Sequence, residues 1–100
     1  MNKILSTLGL ARRAGRLNYG FDMVMAGLSK THLLLLAEDA APRTCRNIEA
    51  AAGEWNIPVK QLPVTKDQLG VSIGTKPVGI IGVADRGFAR SLTQSIEGVK

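Results

Sequence analysis

Apolar residues recur early in the chain at Ile4, Leu8 and Ala11, with Leu5 at the edge of the same face and Ser6 and Arg13 opposite. That helical period predicts a helix over 3–14. Gly15 follows at the place where a left-handed residue ends a helix. Asn18 is a preferred N-cap type and predicts a second helix over about 19–26, which Gly27 stops. Leu33–Ala37 breaks the periodicity with an unbroken apolar run of strand length, the pattern of a strand buried on both faces.

Pro42 suits the first turn of a third helix that runs to about Trp55, with Cys45, Ile48, Ala52 and Trp55 as its apolar face. Asn56 and Pro58 mark its exit. Val59–Val64 reads as a second strand, with Pro63 near its end placing it at an edge or terminus. Thr65-Lys66-Asp67-Gln68 matches a capping box and opens a short helix over 66–70. Val78–Ala84 is an apolar, glycine-spaced strand. Asp85 then caps a last helix with Phe88, Ala89, Leu92 and Ile96 inward. The order is α-α-β-α-β-α-β-α, with a short additional strand near Arg16–Leu17. Strands separated by helices imply largely parallel crossovers. The expectation is one three-layer α/β/α domain over residues 1–100.

Composition narrows the function. One hundred residues with 45% hydrophobic content can bury a single core without staples. The lone Cys45 has no partner for a disulfide or a zinc site, which fits a reducing cytoplasm. Ile4–Leu8 is too short for a signal segment, and no apolar run approaches the roughly 20 residues of a membrane span. Neither a membrane nor a cofactor is expected.

Catalytic chemistry finds little support. His32 stands alone just before a buried strand and reads as a packed or surface residue. Cys45 lies on an apolar helix face, the setting of an inert thiol. Glu38 and Asp39 follow a strand end, where α/β folds place ligands. With no third ligand at metal spacing, capping of the following helix is the expected role for them. An enzyme acting through this acidic pair lacks the rest of a catalytic cluster. Gly70…Gly74 and Gly79…Gly82 lack the spacing of phosphate-binding loops; Gly79 and Gly82 read as strand glycines that admit close helix approach.

The basic residues carry more. Thirteen Lys and Arg against eight Asp and Glu give a net charge of +5, and residues 1–21 hold Lys3, Arg12, Arg13 and Arg16 without one carboxylate. Arg12, Arg13 and Arg16 surround the Gly15 turn beside the expected start of helix two, a setting that suits phosphate. Lys30 ends the next connection and Lys76 lies in the Gly74–Gly79 loop. If the strands run parallel, the 37–41 loop and the loop before the third strand converge on helix two. Tyr19 is the one aromatic expected to be exposed, so serial base stacking is not expected and folded RNA fits better than an extended strand. The competing reading is a protein-interaction module whose basic face docks an acidic partner.

Leu10–Leu17, the helix ending at Gly27, Leu33–Asp39, Asn56-Ile57-Pro58-Val59, Lys66–Gly70 and Val78–Val83 occur in order along nearly the whole chain. Together they resemble the ribosomal-protein superfamily that binds kink-turn RNA, and within it the short bacterial YlxQ-like branch. The resemblance implies an α/β/α sandwich with a mixed four-stranded sheet, and RNA binding without catalysis; the expectation is a monomer linked to the ribosome or translation. In that family an Asn-Glu-x-x-Lys motif at the start of helix two enters the RNA major groove, and a hydrophobic loop packs on an extruded nucleotide. Here the Asn position is Asn18, the Glu position Tyr19 and the Lys position Asp22, an inverted charge. The loop corresponds to Thr75-Lys76-Pro77-Val78-Gly79. The RNA surface expected from both lines is Arg12, Arg13, Gly15, Arg16, Asn18, Tyr19 and Asp22, with Glu38, Asp39, Lys76, Pro77, Val78 and Gly79 around it. An Asp facing guanine acceptors and phosphates predicts weak kink-turn binding.

Overall fold

In the computed structural model the apolar runs and amphipathic segments become four strands and five α-helices among the described residues, which are 2–98. They follow as α1 (Asn2–Arg13), β1 (Leu17–Tyr19), α2 (Phe21–Ala26), a 3-10 turn (Leu28–Lys30), β2 (Leu33–Leu36), α3 (Pro42–Trp55), β3 (Val59–Gln61), α4 (Lys66–Ile73), β4 (Ile80–Val83) and α5 (Arg86–Gly98). Strand order is β1-β4-β2-β3. The four consecutive leucines of β2 explain its central place. Leu33 and Leu35 pack with Ile81 and Val83 against α1, α4 and α5. Leu34 and Leu36 pack with Ile80 and Ile48 on the α2 and α3 side. Alternation by two thus divides one run between two cores, and burying each leucine contributes about 1.5–3 kcal/mol.

The sheet is mixed and four-stranded, but the expectation that it is largely parallel fails: β2–β3 is parallel, while β4 runs antiparallel to both β1 and β2. The reason lies in the α4 connection. Val78 N donates to Lys66 O at 3.2 Å, so the excursion from 66 to 78 closes on itself. β4 therefore starts at the end where β3 stops, and has to run back.

Three helices stop by the same device. Gly15 N donates to Arg12 O (3.0 Å) and Arg16 N to Ala11 O (2.9 Å), the paired bonds of a Schellman turn, with Gly15 at φ 72° as a left-handed residue requires. Gly74 and Asn56 hold the same left-handed position after α4 and α3. At the start of α4, Thr65 and Gln68 form the expected capping box, and Asp85 Oδ2 caps α5 through Phe88 N at 2.8 Å.

Several boundaries differ from the expected ones. α2 begins at Phe21 with Gly20 as N-cap, and Asn18 is instead the middle of β1, opposite Gly82. Leu17 and Tyr19 face the α1 core while the Asn18 amide lies against Gly27, so pairing with β4 supplies the bonds that a helix cap would have supplied. α4 extends to Ile73, whose side chain is buried. Trp55 is 51% exposed instead of facing inward. The fourteen-residue α3 is about 21 Å long, whereas a four-residue strand spans about 13 Å, so the last helical turn outruns the sheet.

Candidate nucleic-acid interface

The C-terminal ends of β1 and β2 meet the start of β4 at one end of the sheet. Gly20 N donates to Ile80 O (3.1 Å), Ala37 N to Gly79 O (2.9 Å) and Glu38 N to Val64 O (2.8 Å). Tyr19, Asp22, Glu38, Asp39 and Gly79 therefore gather around this end, and the 37–41 and 74–79 loops converge near the start of α2. Asp22 is exposed in the first turn of that helix, where a carboxylate complements the N–H groups.

Arg12 and Arg13 reach the same region from α1. With Gly9 and Val71–Gly74 they line a depression of about 370 Å³ against the C-terminus of α4, where carbonyl dipoles favour cations. Arg13 is exposed. The Arg12 guanidinium lies over the Tyr19 ring, its carbon 5.1 Å from the ring centre, and Nη2 donates to the Tyr19 hydroxyl at 3.2 Å. Its Nε is buried without a partner among the described residues. A planar cation on an aromatic face gains cation–π energy, about 0.5–1 kcal/mol at exposed sites. The tyrosine expected to be exposed is consequently half-buried, covered by the arginine seven residues before it.

Other expected site residues are placed differently. Arg16 sits at the opposite end of the sheet, its carbonyl accepting from Ala84 N at 2.8 Å. Gly15 shapes the turn before it. Val78 is turned into the core, which leaves Lys76 and Pro77 as the exposed part of their loop. Gly79 sits against Ala40 and Lys66, and a Cβ there would lie 3.3 Å from that of Ala40. Glu38 is exposed.

Asp39 caps a helix, though not the one that follows it. Its Oδ1 accepts from Lys66 N at 2.8 Å, reaching across to α4, while α3 has Ala41 as its N-cap and no side-chain cap. Asp39→Ala is expected to cost about 1 kcal/mol, the usual value of an N-cap, and to lower the melting temperature by about 4–8 °C. An unchanged melting curve would show that Thr65 alone holds this end. His32 is exposed, and Cys45 is half-buried with Sγ 3.8 Å from Ala40 O.

Two apolar side chains join the surface without a clear sign in the sequence. Phe21 and Met23 are 38% and 44% exposed because the six-residue α2 buries only Val24. Met23 folds back so that its sulfur accepts from Tyr19 N at 3.4 Å. The rim of this surface thus carries an aromatic ring and a thioether beside its basic groups.

Residues 2–93 match the profile of the ribosomal protein L7Ae/L30e/S12e/Gadd45 family. RNA-binding protein YlxQ of Enterococcus faecium is 30% identical over 98 residues, covering 96% of this chain and 93% of the relative. RNA-binding protein YlxQ of Bacillus subtilis (strain 168) is 32% identical over 92 residues, covering 90% and 91%. Among solved structures, a protein of unknown function from Bacillus halodurans C superposes with a TM-score of 0.90 at 35% identity, covering 97% of this chain and 99% of that one. The Giardia lamblia 15.5kD RNA binding protein gives 0.78 at 14% identity, covering 96% and 86%, a likeness of fold alone.

Proposed function

The chain belongs to the ribosomal protein L7Ae/L30e/S12e/Gadd45 family, and from that membership we propose that it is a non-catalytic RNA-binding protein of the cytoplasm. It acts as a monomer with the translation machinery and recognises folded, kink-turn-like RNA. The observation that carries this reading is the Arg12–Tyr19 stack beside the 74–79 loop. It presents a planar, cationic and aromatic face at the end of an edge strand.

Roles divide by chemistry. Arg13 and Lys76, both exposed, neutralise phosphate. The Arg12–Tyr19 pair offers a base a flat face to stack on, and Pro77 supports an unstacked nucleotide. Asn18 works indirectly, holding α2 in place by its packing against Gly27. Two relatives of nearly full coverage carry RNA binding in their names, which supports RNA over an acidic protein as the partner. No described helix is long and apolar enough to cross a membrane.

Asp22 sets the strength. Exposed at the start of α2, it repels phosphate where the resemblance places a lysine. Binding to a kink-turn hairpin is expected near the non-specific range, roughly 10⁻⁴ to 10⁻⁶ M at physiological salt. Titration of a labelled kink-turn hairpin between 50 and 300 mM salt should give a log–log slope of roughly −2 to −4, as three to five phosphate contacts require. No binding at the lowest salt would overturn the reading.

A further inference from the structure

Arg16 stands apart from Arg12 and Arg13, at the end of the sheet where β1 begins and β4 stops. Its Nε lies 4.0 Å from Asp85 Oδ1, and Asp85 directly precedes α5. Along that helix Arg86 and Arg90 are exposed and one turn apart. With His32, Thr93 and Gln94 they line a depression of about 300 Å³, to which Ala89 contributes an apolar wall and no carboxylate contributes at all. Asp85 is already engaged, by Phe88 N at 2.8 Å and by Arg16. The other ion pair among the described residues joins Lys60 to Glu97, so among these residues neither Arg86 nor Arg90 has a carboxylate in ion-pair contact.

We infer that this depression on α5 is a second contact for the RNA backbone, separate from the Arg12–Tyr19 surface; the inference rests on the RNA-binding reading above. Residues four apart on a helix hold their Cβ atoms about 5–6 Å from each other, close enough for two guanidinium forks to grip one stretch of backbone. Those forks match phosphate oxygens. Thr93 and Gln94 add neutral hydrogen-bonding groups beside them. No aromatic ring lines the depression, so it holds the backbone and leaves base recognition to the other surface. A four-residue strand spans about 13 Å, so a single folded RNA reaches both ends of this sheet. An RNA partner is favoured over an acidic protein because it uses both basic surfaces at once.

The test compares the parent with R86Q/R90Q and with K3Q/R46Q, an equal loss of charge at exposed positions elsewhere. The probe is a kink-turn hairpin with duplex arms of about ten base pairs, titrated across salt. R86Q/R90Q should weaken binding about three- to tenfold and flatten the salt slope by about 1.5–2, as the loss of two phosphate contacts requires. K3Q/R46Q should leave the slope within about 0.5 of the parent's. Parental affinity and slope in R86Q/R90Q overturn the second contact and leave the first standing. The same outcome combined with lost retention on polyglutamate resin assigns the patch to an acidic protein and likewise overturns it. If the parent itself binds no RNA, both readings fall together.

Discussion

Tyr19→Ala is expected to weaken RNA binding by about 1–3 kcal/mol, the range measured for removing an aromatic stacking platform. The change should be large because the ring has two duties. It backs the stacked pair from the core side, and it holds in place the Arg12 guanidinium that faces the base, 5.1 Å from its centre and hydrogen-bonded at 3.2 Å. Without the ring, Arg12 regains its rotamers and has to be ordered again when RNA arrives. Tyr19→Phe keeps the face and loses only the hydroxyl bond, so about 0.5–1.5 kcal/mol is expected. A double-mutant cycle with Arg12→Ala separates stacking from net charge. If the pair acts as a unit, the two losses overlap by about 0.5 kcal/mol or more; if Arg12 contributes only charge, they add. Dissociation constants of the four proteins for one hairpin decide this, and a Tyr19→Ala protein that binds like the parent sinks the proposed platform.

The layered architecture was legible because it rests on burial, and burial follows hydrophobic patterning. Leu33–Leu36, the α5 face and the capping box at Thr65 were each readable from one local segment. What the sequence left hidden depends on pairing between distant segments. Asn18 has the composition of a helix cap, and only the antiparallel pairing with Gly82 shows it to be part of a strand. Asp39 is likewise a capping residue by type, yet the helix it caps begins 27 positions later. The direction of β4 was lost for the same reason, since closure of the 66–78 excursion is a tertiary fact.

The placement of the candidate residues was half legible. Arg12, Arg13 and Arg16 look like one cluster because they are close in sequence. The Schellman turn at Gly15 instead sends the chain into β1, leaving Arg16 at the far end of the sheet from Tyr19. Counting from the observed start of α2 moves the family's helix-two motif as well. Its Asn and Glu positions then fall on Gly20 and Phe21, and its Lys position on Val24, which is completely buried. No lysine at that place could reach RNA without leaving the core. On either alignment, α2 of this chain turns apolar and acidic side chains toward the proposed RNA, and the positive charge of that proposed surface comes from α1 and the 74–79 loop.

One substitution made at two helical glycines should therefore change stability in opposite directions. Gly70, in α4, is packed under the 74–79 loop. A Cβ there would lie 2.8 Å from the Lys76 carbonyl carbon and 3.0 Å from Pro77 Cα, and would run into the Lys76 carbonyl oxygen. All three are backbone-chain atoms that cannot swing aside as a flexible side-chain tip would. Gly70→Ala gains the roughly 0.5–1 kcal/mol of helix propensity that alanine has over glycine, but overpacking costs about 1–3 kcal/mol. The net is a loss, and because relief comes from lifting the loop, Lys76 and Pro77 move away from the proposed RNA surface. Gly53, exposed in α3, has nothing within 4 Å of its Cβ position, so Gly53→Ala should keep the whole propensity gain of about 0.5–1 kcal/mol. Thermal melts should show Gly70→Ala below the parent and Gly53→Ala above it, at about 4–8 °C per kcal/mol for a chain of this size. RNA titration should show a loss of affinity for Gly70→Ala alone. If Gly70→Ala melts at or above the parent temperature and still binds RNA like the parent, the close packing of α4 against this loop is not what positions the surface.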